Sequence, residues 1–147
     1  MESPTFKPAP IRTEIIPTLS VRNGAAAVEF YQKAFGAEVL MQVSSPDGDI
    51  VAELSIGGAH FLVADESPEN GNFSPQSLGD RTPVRMGLIV TDPDGVATRA
   101  IQAGAREIYP VADQDYGFRL GRVVDPFGHH WEICRPLEGN ETWKNQG

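Results

Sequence analysis

The amino-acid sequence predicts an α+β fold: two βαβββ units forming a curved mixed sheet with an internal cavity, the helices lying on the outer face. Three observations predict it. First, landmarks of one half recur in the other at an offset of about 69 positions. Val21 and Val90 close a first strand, Asn23 and Asp92 precede a helix, and Gly36-Ala37 and Gly104-Ala105 follow one. Gly58-Ala59-His60-Phe61-Leu62-Val63 likewise parallels Gly128-His129-His130-Trp131-Glu132-Ile133. Second, each half holds one stretch of helical periodicity followed by three short strand-like runs. Third, 147 residues, 40% of them hydrophobic, suffice for one compact domain or two half-domains sharing a core.

Residues 1–13, with Pro4, Pro8 and Pro10, read as a loose arm. Glu14 to Val21 reads as a strand that Pro17 confines to a sheet edge. Asn23 caps a helix over 24–35, where Ala27, Phe30, Tyr31, Ala34 and Phe35 recur at helical spacing. Gly36 ends it in the left-handed conformation. Strands follow at 37–43, 50–56 and 59–64, separated by Ser45-Pro46-Asp47-Gly48 and by Gly57-Gly58. Residues 66–83 read as a polar linker between unit 14–65 and unit 84–136, which together make a single domain, 14–136. In the second unit the spacing predicts a strand at 84–91 and a helix at 93–103, capped by Asp92 and stopped by Gly104. Strands are predicted at 106–111, 116–124 and 129–135, the last two joined by Asp125-Pro126-Phe127-Gly128. The tail 137–147 is polar except for Trp143, which either docks on a neighbour or is exposed.

Composition excludes several function classes. Twelve Lys and Arg against 20 Asp and Glu leave a net charge of −8, which repels phosphate backbones and anionic membranes, so neither nucleic acid nor membrane is an expected partner. One cysteine, Cys134, permits no intrachain disulfide and suits a reducing, cytoplasmic setting. Met1-Glu2-Ser3-Pro4 does not read as the start of a signal peptide, and no apolar run approaches the ~18 residues of a membrane helix. Signatures for dinucleotides, nucleoside triphosphates and serine hydrolysis do not occur.

Two segments carry a resemblance. Ile15-Ile16-Pro17-Thr18-Leu19, followed by Glu29-Phe30-Tyr31-Gln32-Lys33-Ala34-Phe35-Gly36-Ala37, resembles the opening of vicinal-oxygen-chelate proteins, the glyoxalase/bleomycin-resistance/dioxygenase superfamily. Pro17 and the closing run Tyr116-Gly117-Phe118-Arg119 with Asp125-Pro126-Phe127-Gly128-His129-His130-Trp131-Glu132-Ile133 look most like its PhnB-like branch. The resemblance spans 14–136. It implies the fold above and a homodimer, and it implies functions ranging from metal-dependent lyases, isomerases and dioxygenases to metal-free antibiotic-binding proteins.

For metal-dependent members the resemblance implies one ligand on the first and one on the last strand of each unit. Carried over residue by residue, these positions are Ile16, Leu62, Arg85 and Glu132. Only Glu132 is a competent ligand, because Ile and Leu have no donor atoms and a guanidinium is cationic. A second set remains open. Strand alternation puts His130 and Glu132 on one face and His60 on the matching face, and two imidazoles with a carboxylate suit zinc or iron. The simpler reading is that each His opens a strand after a Gly turn and bonds to backbone. Glu132 is either a candidate catalytic acid-base group or the partner of Arg85 or Arg122. Tyr116 and Arg119 are candidates for stacking on a flat ligand and contacting its polar rim, or else for packing and solvation. Phe61, Val63, Trp131 and Ile133 point to the helices, as does His129, which is expected to be structural. Cys134 shares the Glu132 face and is either a reactive thiol or a buried inert one.

The expectation is a metal-free small-molecule-binding protein with no cofactor, forming a homodimer. Its cavity would be lined by Thr18, Ser20, His60, Leu62, Arg85, His130 and Glu132, with Tyr116 and Arg119 at the rim. The alternatives are a metal-dependent enzyme using His60, His130 and Glu132, and an interaction domain whose hollow is filled by side chains. The ligand is not named by the sequence.

Overall fold

Hydrogen-bonded ladders divide the eight strands into two four-stranded sheets. The computed structural model describes residues 9–140; the expectation for Trp143 and the outer parts of the arm and tail lie outside these. The first unit runs β1 (Thr18–Val21), α1 (Gly24–Phe35), β2 (Glu38–Ser44), β3 (Ile50–Ile56) and β4 (Ala59–Asp65). The second runs β5 (Arg85–Ile89), α2 (Pro93–Ala103), β6 (Arg106–Asp113), β7 (Phe118–Val124) and β8 (His130–Pro136). Strand orders are β1-β4-β3-β2 and β5-β8-β7-β6, so the second sheet repeats the topology of the first. In each, the first strand pairs parallel to the fourth and the other pairings are antiparallel. The predicted duplication is therefore present, and its sheet is split in two.

Local chemistry sets the boundaries. The Asn23 side chain accepts from the Ala26 amide and the Asp92 side chain from the Gly95 amide, satisfying donors that a helix start leaves free. Gly36 closes α1 at φ 66°, where a Cβ would be strained. The first strand starts at Thr18, later than the predicted Glu14. Pro17 has no amide hydrogen to donate, yet its carbonyl accepts from the Leu62 amide at 2.9 Å. The linker contains two short 3₁₀ turns, Pro68–Asn70 and Pro75–Leu78. Each has proline in its first turn and a left-handed glycine after its last residue. Glu66 holds the linker down by accepting from the Ser74 amide and the Ser77 hydroxyl.

The core lies where helices meet sheets. α1 buries Ala27, Phe30, Tyr31, Ala34 and Phe35, and α2 buries Ala97 and Ala100. The helices also pack on each other, and Arg99 Nε donates to the Lys33 carbonyl at 2.6 Å. Phe61, Val63, Trp131 and Ile133 fill this layer as predicted. Phe35 and Phe61 stand 4.7 and 5.5 Å from the Trp131 ring, joining the units.

At their boundary sits one buried carboxylate. Asp125 Oδ1 accepts from the amides of Phe127 and His129 at 2.9 and 3.0 Å. Its Oδ2 accepts from Trp131 Nε1 at 2.9 Å and from the Tyr31 hydroxyl. Burial, with the Asp125 charge behind it, pushes the Tyr31 phenol well above its ordinary range, so the hydroxyl stays a donor. Asp125 was expected only to shape a turn. His129, buried, reaches across to the Ser20 carbonyl at 2.9 Å, the structural part expected of it.

Asp125→Ala is expected to lower unfolding free energy by about 3–5 kcal/mol, because four buried donors lose their acceptor, whereas Tyr31→Phe removes one donor and costs about 1–2 kcal/mol. Urea titrations of the two variants check the order; equal losses would show that Asp125 does not act as a common acceptor.

Candidate functional site

Period-2 alternation gives each sheet a second face, turned away from the shared core. On the first sheet it carries Thr18, Leu62, Glu53 and Met41 in one row across the strands, with His60 and Ser55 in the next. On the second sheet the corresponding row is Gly87, Glu132 and Arg122, with Arg85 opposite His130 and Tyr109 opposite Arg122.

Glu132 is the centre of this row. Arg85 Nε donates to its Oε1 at 2.7 Å, and Arg122 Nη2 and the Tyr109 hydroxyl donate to its Oε2, both at 3.1 Å. Gly87 stands directly across from Glu132, and Arg85, two residues earlier on β5, shares its face. Burial works to raise the Glu132 carboxyl, but the hydrogen bonds from Arg85, Arg122 and Tyr109 outweigh it and hold the group below its ordinary value. The pairing with arginine, one of two readings left open by the sequence, is thus made twice over. A carboxylate held ionised by two guanidiniums is a weak proton acceptor. Burial, then the bond to Glu132, pushes the Tyr109 phenol up, so it remains a donor; Arg122 also stacks 5.3 Å from the Tyr109 ring centre.

The other predicted residues divide. Thr18, Ser20, His60, Leu62, Arg85, His130 and Glu132 do lie on these second faces. His60 Nδ1 lies 2.9 Å from Glu53 Oε2, a partner that strand alternation along β3 would have revealed once the β3–β4 register was known. Arg119 does not reach the rim: it points to the opposite face, where Nε and Nη2 each bond Asp94 at the start of α2 at 2.7 Å and Nη1 bonds Asp113 at 2.9 Å. It ties the helix start to the sheet. Tyr116 is exposed in the turn before β7. Cys134 is buried, and burial followed by the Glu132 charge pushes its thiol up, so the inert reading fits.

A divalent ion does not fit the four positions implied by the resemblance. Ile16 and Leu62 offer no donor, Arg85 brings positive charge, and both Glu132 oxygens already accept from cations. The second set is not assembled within the chain either. None of the cavities described is lined by both His60 and Glu132. Among the described residues, no three His, Cys, Asp or Glu side chains are placed to hold one metal.

The model of the Glyoxalase/Bleomycin resistance protein/Dioxygenase superfamily matches residues 15–133. The chain belongs to this superfamily. The Mycobacterium bovis protein Mb0911c is 40% identical over 131 residues, covering 86% of each chain. Among solved structures, TioX from Micromonospora sp. ML1 superposes with a TM-score of 0.65 at 25% identity, over 85% of this chain and 97% of that one. The fosfomycin resistance protein FosX from Listeria monocytogenes shares the superfamily fold, with a TM-score of 0.64 at 16% identity, over 92% and 99% of the two chains. No helix among the described residues is long and apolar enough to cross a membrane.

The Glu132 contacts predict a pH signature. A carboxyl held below its usual value of 4.5 stabilises the fold above that pH and loses the contribution as pH falls through its folded value. The stability gap between the native chain and Glu132→Gln is therefore expected to be full at neutral pH and to close on acidification. A gap that does not change with pH would separate Glu132 from its arginines.

Proposed function

We propose that this superfamily member binds a small organic molecule without a divalent metal. The observation that carries the reading is the Arg85–Glu132–Arg122 assembly, which puts guanidinium groups where the resemblance implies a cation. A metal would have to displace both arginines and would find one carboxylate. The PhnB-like branch rests on Pro17, the run from Phe30 to Ala37 and the closing run from Tyr116 to Ile133, and the cytoplasmic setting rests on the single cysteine. Metal analysis of protein purified without chelators is expected to give far less than one divalent ion per chain. About one tightly held ion per chain rejects the proposal.

The binding unit is proposed to be a homodimer. The second face of the first sheet exposes Met41, Val43 and Val51. Among the described residues β1 and β5 each pair on one side only, so both sheets keep an open edge there. A second copy of the chain supplies apolar surface and strand edges of the same kind, which a two-fold axis places in register. Sedimentation at micromolar concentration is expected to show the dimer mass, and a monomer would contradict the arrangement.

A further inference from the structure

Next to Glu132 the two sides of the charge balance do not match. Two guanidiniums, Arg85 and Arg122, face one carboxylate, in a chain whose net charge is −8. Arg85 spends its Nε and Arg122 its Nη2 on Glu132, leaving further N–H donors on both groups. Arg122 Nε and His130 Nδ1 are buried and have no hydrogen-bond partner among the described residues. Native structures rarely leave such groups unmatched, and a bound water or ion is one reason when they do. Arg85, Arg122 and His130 line a common cleft of about 110 Å³, together with Thr82, Pro83 and Val84 of the segment before β5. Thr82 Oγ1 donates to the Val84 carbonyl and accepts from the Val84 amide, which fixes this wall.

We propose that this cleft seats a compact oxyanion, a carboxylate or phosphate group, by which the ligand is anchored. Guanidinium is the side chain best matched to both, offering paired donors that do not deprotonate. The N–H groups of Arg85 and Arg122 that Glu132 does not engage supply the donors. Glu132 does not compete for the anion; it holds Arg85 and Arg122 apart and oriented, and leaves one positive charge uncompensated. His130 also lines a neighbouring cavity of about 350 Å³ that includes Gln76, Asp80 and Arg106, so the anchored group has a polar space beside it for the rest of a ligand. The inference rests on the metal-free reading of the same face and gives it a ligand class.

The test is a titration of the full chain with inorganic phosphate and, separately, with acetate at constant ionic strength, followed by NMR of the Arg122 Nε–H and the Val84 amide. Saturable shifts at both positions are expected with one of the two probes. Arg85→Gln, at an exposed position outside the core, is expected to weaken binding about tenfold by removing one charged donor group. Glu132→Gln is expected to tighten binding, because the amide oxygen still accepts from the arginines while the opposing charge is removed. Shifts that rise linearly without saturation, an unchanged affinity in Arg85→Gln, or weaker binding in Glu132→Gln each overturn the inference. If the protein is metal-free and neither probe saturates, the oxyanion falls and the metal-free reading stands. If phosphate binding disappears with a chelated metal, both fall.

Discussion

The Asp125 carboxylate holds the molecule's two halves in one arrangement. It receives two amides of its own turn, the Trp131 indole from β8 and the Tyr31 hydroxyl from α1. Each donor is neutral, so the charge is solvated by dipoles rather than cancelled by a counter-ion. The bond to Tyr31 fixes α1 of the first unit against the last turn of the second. The aromatic contacts of Tyr31, Phe35, Phe61 and Trp131 then form around it. The corresponding hairpin of the first unit, between β3 and β4, is the shorter Gly57-Gly58 turn, where the Ser55 hydroxyl accepts from the Gly58 amide at 3.1 Å on the face away from the core. Duplication thus provided two turns, and one of them became the joint.

Fixing the core on one face of each sheet turns the other face outward. On the second sheet that face would carry a cation, if this chain followed the metal-dependent members that its sequence resembles. Here the positive charge is covalently attached to β5 and β7. The consequence for chemistry is direct. Glu132 is kept ionised and orients two arginines, and the cations it binds cannot act as exchangeable Lewis acids. What such a face can do is recognise negative charge and hydrogen-bond acceptors.

The two units have diverged in the same place by different means. In the first, Leu62 takes the Glu132 position, Thr18 stands across from it as Gly87 does from Glu132, and the polar pair is His60 with Glu53. In the second, Glu132 is paired with Arg85 and Arg122.

Much of the fold was legible in the chain itself. Caps at Asn23 and Asp92, stops at Gly36 and Gly104, and the hydrophobic periods are local effects, set by backbone donors, left-handed φ and side-chain spacing within a few residues. The two-residue period also assigned Phe61 and Trp131 to the core and Glu132 to the other face. Three things were decided only by the tertiary structure. The partners of Glu132 depend on strand register across four strands, which placed Tyr109 beside it and left Arg119 on the wrong side. The role of Asp125 depends on a contact with Tyr31, far away in sequence, whereas its local signal is that of an ordinary turn. The division into two sheets follows because the paired units share a core through their helices and not through a strand ladder. Local sequence fixes which face a side chain takes, but what meets it there is settled by long-range packing.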